Sequence, residues 1–236
     1  MFEFSPEVTS VFSDRSFGNM SLNYGQTSAS LENRRRFLDN FKISYASLTC
    51  AEQVHSSRIG YVKKEDIGKG ALSHHTSIRG TDAFITDERN LPIAVFTADC
   101  LSIFLYDPQR PAIGLVHAGW RSSRENIVNK AVKSMQENFA TLPAELRVGF
   151  GPAIRDCCYE VKEDFKGFFS GGLLKREKRY YLDLAGINRA QLLEVGVSED
   201  NILDCAICTS CQNHRFFSFR KEGKSCGRML SVIMLG

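Results

Sequence analysis

Three residues of this 236-residue chain have the chemistry of a metal site that could also do work: His55 in Q-V-H-S, Cys100 in T-A-D-C and His117 in H-A-G-W-R. Two imidazoles and one thiolate suit Zn²⁺, and three protein ligands leave its fourth position open to water or substrate. Cu²⁺ fits the same nitrogen and sulfur donors. A closed set of four ligands would point to scaffolding, whereas an open set of three points to catalysis. An open zinc site makes a nucleophile of water near neutral pH.

The segment between Cys100 and His117 offers a way to bring two of the three together. Asp107-Pro108-Gln109-Arg110 has Asp and Pro at the first two positions of a turn. A tight hairpin closed there sets Cys100 directly opposite His117, with Cβ atoms roughly 4.5–5.5 Å apart. One thiolate and one imidazole could then reach a shared ion at about 2.3 and 2.0–2.1 Å. His55 must arrive from elsewhere in the chain.

Other residue types add to this chemistry. Ser122 with Glu125 fits a capping box, so a helix is expected to begin just after His117. Its N-terminus, together with the fork-shaped guanidinium of Arg121, suits a phosphate group. Asp99, Asp82 and Glu52 lie within the same motifs and are candidate proton carriers. Cys205, Cys208, Cys211 and His214 form a C-x₂-C-x₂-C-x₂-H series able to hold a second metal. Adjacent Cys157 and Cys158 read as packing residues in a loop, with a redox role as the alternative.

These residues need a scaffold. Hydrophobic spacing predicts a helix over Leu31–Phe41, with Arg34, Arg35 and Arg36 on its solvated side, and another over Ser123–Phe139, where apolar residues recur at helical period. A third is expected over Ile187–Val195. Strands are expected near Leu48–Ile59, then at Ala83–Thr86, Ile93–Thr97, Ser102–Tyr106 and Ala112–His117. Further strands are expected at Arg147–Phe150, Tyr180–Leu184, Phe216–Arg220 and Met229–Leu235. Glu65–Gly80 has loop composition. Strands with interspersed long helices give a mixed α/β class, and the absence of repeats or polar linkers gives one domain over residues 1–236.

Composition bounds the partners. With 30 basic and 27 acidic residues the chain is too balanced to imply nucleic acid or an anionic membrane. No apolar run approaches the roughly 20 residues of a membrane helix. The first residues show neither a basic n-region nor an apolar h-region, so eight cysteines read as reduced thiols or ligands in a cytoplasmic protein.

Taken in order, the motifs resemble the family called YfiH-like, laccase-domain, or polyphenol oxidase/purine nucleoside phosphorylase proteins. The resemblance rests on S-L-N-Y-G (Ser21–Gly25), E-N-R-R-R (Glu32–Arg36), E-Q-V-H (Glu52–His55), T-D-A (Thr81–Ala83), T-A-D-C (Thr97–Cys100) and H-A-G-W-R (His117–Arg121). It continues through G-P-A-I…C-Y-E-V (Gly151–Val161) and C-T…F-F-S-F-R…G-R (Cys208–Arg228). It implies a single-domain α-β-β-α sandwich with mixed, largely antiparallel sheets, and zinc on His55, Cys100 and His117. It also implies phosphorolysis of adenosine, inosine and guanosine, with adenosine deaminase and methylthioadenosine phosphorylase activities, in a monomer or weak homodimer. Arg15 and Asn23 enter as substrate contacts through the resemblance alone. Ser122 stands where the family usually has glycine, which bears on backbone approach to a substrate, and Gln26-Thr27-Ser28 replace the usual acidic G-D stretch. Three readings compete: a cysteine hydrolase or amidase in which His117 activates Cys100, a mono-copper polyphenol oxidase, and a non-catalytic ligand sensor.

Overall fold

Leu101–Asp107 and Ala112–Ala118 are buried at every residue, so both faces of each strand must be covered. The computed structural model, which describes residues 1–236, shows how. Its strands are β1 (Val8–Phe12), β2 (Thr49–Cys50), β3 (Ile59–Tyr61), β4 (Ala83–Thr86), β5 (Ile93–Thr97), β6 (Leu101–Asp107), β7 (Ala112–Ala118), β8 (Arg147–Phe150), β9 (Glu160–Val161), β10 (Leu173–Arg176), β11 (Arg179–Leu182), β12 (Ile202–Asp204) and β13 (Met229–Leu235). Its helices are α1 (Thr27–Leu38), α2 (Trp120–Arg124), α3 (Ile127–Phe139), α4 (Leu184–Glu194) and α5 (Phe219–Glu222). No helix is long and apolar enough to cross a membrane.

Six strands form one sheet in the order β12-β8-β6-β7-β4-β3, and four form another in the order β1-β13-β5-β2. A small third sheet, β10-β11-β9, stands apart. Pairing is antiparallel except for β12 with β8, β2 with β5 and β3 with β4.

Alternation along the strands separates the layers. Leu101, Ile103 and Leu105 of β6 face α3 and α4, packing with Ile127, Ala131 and Leu192. Phe104 and Tyr106 of the same strand face the other way, against Ile93 and Val95 of β5 and Ile233 of β13. The outer face of the four-stranded sheet, with Ala94, Leu230 and Val232, packs on Phe37 and Leu38 of α1. The result is helix, sheet, sheet, helix, which is the layering the resemblance implied.

Several expected elements differ in detail. The β6–β7 hairpin pairs Asp107 with Ala112 and Ser102 with His117, so Cys100 is not opposite His117 but two residues further along. The Asp107 carboxylate accepts from the N–H groups of Gln109 and Arg110, at 2.9 and 3.1 Å, and widens the turn. The helix expected over Ser123–Phe139 is two, α2 and α3, broken at Asn126 in the left-handed region with φ 59°. Between Leu48 and Ile59 only Thr49–Cys50 is strand. Phe216–Arg220 is no strand: the Phe216 N–H donates to the Gln212 carbonyl at 2.9 Å, and two others find side-chain acceptors, Ser218 on Glu222 at 3.0 Å and Arg220 on Asp99 at 2.6 Å.

Arg34 also departs from expectation. Arg35 and Arg36 are solvated, but Arg34 is 1% exposed. Its guanidinium donates to the carbonyls of Met20 at 2.8 Å and Ala71 at 2.7 Å and lies 4.7 Å from the Phe96 ring centre. It ties α1 to the loops on either side of it. Arg34→Leu leaves buried carbonyls unpaired and should cost about 3 kcal/mol, roughly a 10 °C fall in Tm for a chain of this size. Calorimetry on the two proteins measures it.

Candidate functional site

His117 lies on β7, one strand from β4, whose first residue follows Asp82. Strand pairing sets Ala83 against Val116, and the His117 N–H donates to the Asp82 carbonyl at 2.8 Å. The His117 ring then meets the Asp82 carboxylate through Nδ1 at 2.8 Å. That contact leaves Nε2 as the nitrogen free to bind a metal.

The same carboxylate holds the His55 loop. Backbone N–H groups of Val54, His55 and Ser56 donate to its oxygens at 3.1, 3.0 and 2.7 Å, and the Ser56 hydroxyl adds a contact at 2.9 Å. His55 itself is left-handed with φ 60°. The bend turns its ring toward His117, with ring centres 4.9 Å apart. Burial alone would raise the Asp82 carboxyl, but the His117 ring and the Ser56 hydrogen bonds hold it below the usual range.

Cys100 completes the group from the start of β6, with Sγ 3.9 Å from His55 Nε2. Although it is not the cross-strand partner of His117, it is the diagonal neighbour, and side chains still meet at that offset. Asp99, immediately before it, is left-handed with φ 86°. The Asp99 carboxylate accepts from Thr209 Oγ1 and the Arg220 N–H, both at 2.6 Å, and its carbonyl accepts from the Ile154 N–H at 2.9 Å. One donor atom from each of His55, Cys100 and His117 lies within 4.8 Å of the others.

This donor set fits a divalent metal. Burial would raise the Cys100 thiol, but the His117 charge and hydrogen bonds from both imidazoles hold it down at about 6. Burial disfavours a charged His117, yet the Cys100 thiolate and Asp82 hold that ring up at about 9. The site therefore already gathers thiolate character beside a positive centre, the place a cation would take. Gly119 leaves room: a Cβ there would lie 3.0 Å from His55 Cδ2 and 3.1 Å from Cys100 Sγ.

The trio opens on a cavity of about 530 Å³. Asn23, Glu52, Asp99 and Arg121 line it, and Asn23 Nδ2 lies 3.2 Å from His74 Nε2. Sequence reasoning missed Arg34, Trp120, Tyr159, Phe219, Arg220 and Arg228, which also line it. The F-F-S-F-R and G-R motifs contain three of these, and strand character in Phe216–Arg220 conceals the first two. Arg121 stacks on Trp120 at 4.3 Å, and Arg228 on Tyr24 at 4.2 Å. No carboxylate pairs with Arg121, Arg220 or Arg228, although twelve ion pairs form elsewhere.

Two expected contacts stand outside the cavity. Ser122 is fully buried; its hydroxyl accepts from the Gly119 N–H at 2.9 Å, so Gly119 rather than Ser122 begins the helix. Arg15 pairs with Glu222 at 2.5 Å and stacks on Phe217. The cysteine series also divides. Cys208 and Cys211 converge with Cys157 and Cys158, while Cys205 packs by the sheet interface and His214 is exposed.

A family model described as multi-copper polyphenol oxidoreductase laccase matches residues 9–236. The chain belongs to this YfiH-like, laccase-domain family. A relative, purine nucleoside phosphorylase YlmD of Geobacillus stearothermophilus, is 36% identical over 225 residues, covering 91% of this chain and 82% of the relative. Adenosine deaminase RL5, from an unknown prokaryotic organism, is 30% identical over 195 residues, covering 79% of this chain and 74% of its own length. The crystal structure of the hypothetical protein YfiH from Bacillus licheniformis superposes with a TM-score of 0.92 at 30% identity, over 97% of this chain and 93% of that one. Family membership at these identities makes the chain an enzyme related to nucleoside phosphorylases and deaminases.

Two outcomes follow from the geometry. Asp82→Asn should weaken metal binding at the trio about 10–100-fold, because both imidazole orientation and the His55 loop depend on that carboxylate; competition with a chromophoric chelator reads it. Burial would raise Glu222, but Arg15 and the Ser218 N–H hold it down at about 2, against an ordinary value of 4.5. Its stabilising effect is thus complete above about 4.5 and fades as pH falls toward 2. The gap in Tm between wild type and Glu222→Gln should close over that window.

Proposed function

We propose that this chain is a zinc-dependent purine nucleoside phosphorylase that acts on adenosine, inosine and guanosine, with adenosine deaminase and methylthioadenosine phosphorylase activities in the same cavity. What supports the reading above all is one coincidence of place: an open two-histidine, one-cysteine donor set and three arginines free of carboxylates share one cavity. The names of the relatives agree with it.

When bound, the zinc would supply a Lewis acid with one open coordination position. The chain's own residues do the rest. Arg121 and Arg220 hold phosphate, their forks matched to its oxygens. Trp120, Tyr159 and Phe219 offer flat apolar surface to a purine, and Asn23 donates to the sugar. A phosphate oxygen attacks the anomeric carbon, the bond from that carbon to the base breaks, and the departing base takes a proton. In deamination water replaces phosphate, attacks the six-position of adenine, and ammonia leaves.

Asp82 and Asp99 serve as positioning residues in this scheme, because their oxygens already accept from the donors described above. Glu52 is the better proton carrier: one of its oxygens accepts from the Gly80 N–H at 2.7 Å, and the other has no partner. Arg15 and Ser122 support the wall from behind. The partners are small molecules, and the protein works in the cytoplasm.

One observation favours a second reading. A Cys100 sulfur 3.9 Å from His55 Nε2 and within 4.8 Å of a His117 ring nitrogen is also the arrangement of a cysteine nucleophile. Metal occupancy separates the two, since a bound zinc ties up the thiolate.

Incubation of purified protein with inosine or adenosine and phosphate should release the free base and ribose 1-phosphate. Cys100→Ala and His55→Ala should lower kcat more than 100-fold with folding intact, and Arg121→Ala should raise the KM for phosphate about tenfold. Base release that ignores phosphate, or full activity in metal-free protein, would overturn the scheme.

A further inference from the structure

The second cysteine group is far from adjacent in sequence. Cys157 and Cys158 follow β8 in one loop, and Cys208 and Cys211 follow β12 in another. Their sulfurs nevertheless all lie within 4.8 Å of one another. Cys211 Sγ is 3.3 Å from Cys158 Sγ and 3.6 Å from Cys157 Sγ. Thiols are weak hydrogen-bond donors and weak acceptors, so nothing in their mutual contacts accounts for four of them meeting. A cation does. In a tetrahedral zinc site with bonds near 2.3 Å, neighbouring sulfurs are about 3.8 Å apart, close to the spacing here. An iron–sulfur cluster divides its four cysteines among two or four irons and spreads them wider than this group allows.

The backbone is arranged for such a load. Ala153 and Cys208 form a parallel bridge, with N–H···O contacts from Ala153 to Ile207 at 3.2 Å and from Thr209 to Ala153 at 3.0 Å. Arg155 locks the two loops again through a two-pronged pair with Asp204, at 2.6 and 2.8 Å. Cys208 is buried while Cys157 and Cys211 are exposed, so the group closes on the protein side and is reached from solvent.

We propose that Cys157, Cys158, Cys208 and Cys211 bind one structural zinc ion, separate from the His55, Cys100 and His117 centre. The geometry calls for neither substrate nor open coordination position. Its effect is mechanical: it fastens the loop that lines the cavity to the loop that holds Asp99. Ile154 and Tyr159 on the first loop line that cavity, and Thr209 on the second holds Asp99, the residue before Cys100. The inference does not depend on which reaction the cavity performs.

Metal content by mass spectrometry, on protein purified under reductant without chelator, tests it. Wild type should carry two zinc ions per chain, His55→Ala/His117→Ala one, and Cys208→Ser/Cys211→Ser one. Loss of folding in the last variant leaves a second measurement decisive. His55→Ala/His117→Ala loaded with Co²⁺ should show the intense sulfur-to-cobalt charge transfer of a tetrahedral four-thiolate site, and adding Cys157→Ser should weaken it. One zinc in wild type and none in His55→Ala/His117→Ala would overturn the proposal. So would a cobalt spectrum without charge transfer, a Cys158–Cys211 disulfide in freshly isolated protein, or iron in place of zinc.

Discussion

A single buried carboxylate, Asp82, controls the metal-capable trio. It accepts from the His117 ring and from three consecutive N–H groups of the His55 loop, so two donors from distant parts of the chain are oriented by one group. The arrangement also accounts for backbone that would otherwise be unfavourable. Gln53 and His55 are both left-handed without being glycine, a conformation that costs on the order of 1 kcal/mol or more at each residue. Charge-assisted hydrogen bonds from the loop to Asp82 offset that cost. A neutral amide in the same place could not accept from all of these donors at once.

Asp99 does for the third donor what Asp82 does for the first two. Its carboxylate reaches Thr209 and Arg220, and its left-handed backbone turns Cys100 into the cavity. The two acids thereby draw the His55 loop and the C-terminal segments at Thr209 and Arg220 onto the strand ends of the large sheet. With their oxygens occupied, neither neutralises Arg121, Arg220 or Arg228. Positive charge is therefore concentrated in the cavity although the chain carries a net charge of only +3.

What the sequence revealed and what it concealed divide along physical lines. The long apolar strands and the periodicity of Ile127 to Phe139 follow from side-chain alternation, a local property. The hairpin register did not, because the Asp107 side chain captures two N–H groups and lengthens the turn. Arg34 looked solvated because its neighbours Arg35 and Arg36 are; its burial depends on carbonyls from loops at residues 20 and 70–71. Phe216–Arg220 has strand composition, yet its Phe216 N–H turns to the Gln212 carbonyl and its Ser218 and Arg220 N–H groups to the carboxylates of Glu222 and Asp99. The Cys208-x₂-Cys211 spacing is a metal signal in the sequence, where Cys205 and His214 look like its partners because they are near in the chain. The parallel bridge at Ala153 brings Cys157 and Cys158 instead.

The oxidase description attached to the family can be weighed on the donors this chain possesses. Reduction of dioxygen to water requires several electrons delivered together, which multi-copper centres achieve with many closely spaced histidines. This chain has five histidines. His55 and His117 belong to the trio, His74 contacts Asn23, and His75 and His214 are exposed. Of the two groups able to hold a metal, one offers two imidazoles and a thiolate and the other four thiolates. Soft thiolates favour Zn²⁺ or reduced copper, and a set of two imidazoles and one thiolate can hold a single copper as well as a zinc. Neither group therefore provides the clustered histidines of a multi-copper centre, and arginines without carboxylate partners line the cavity beside the open donor set.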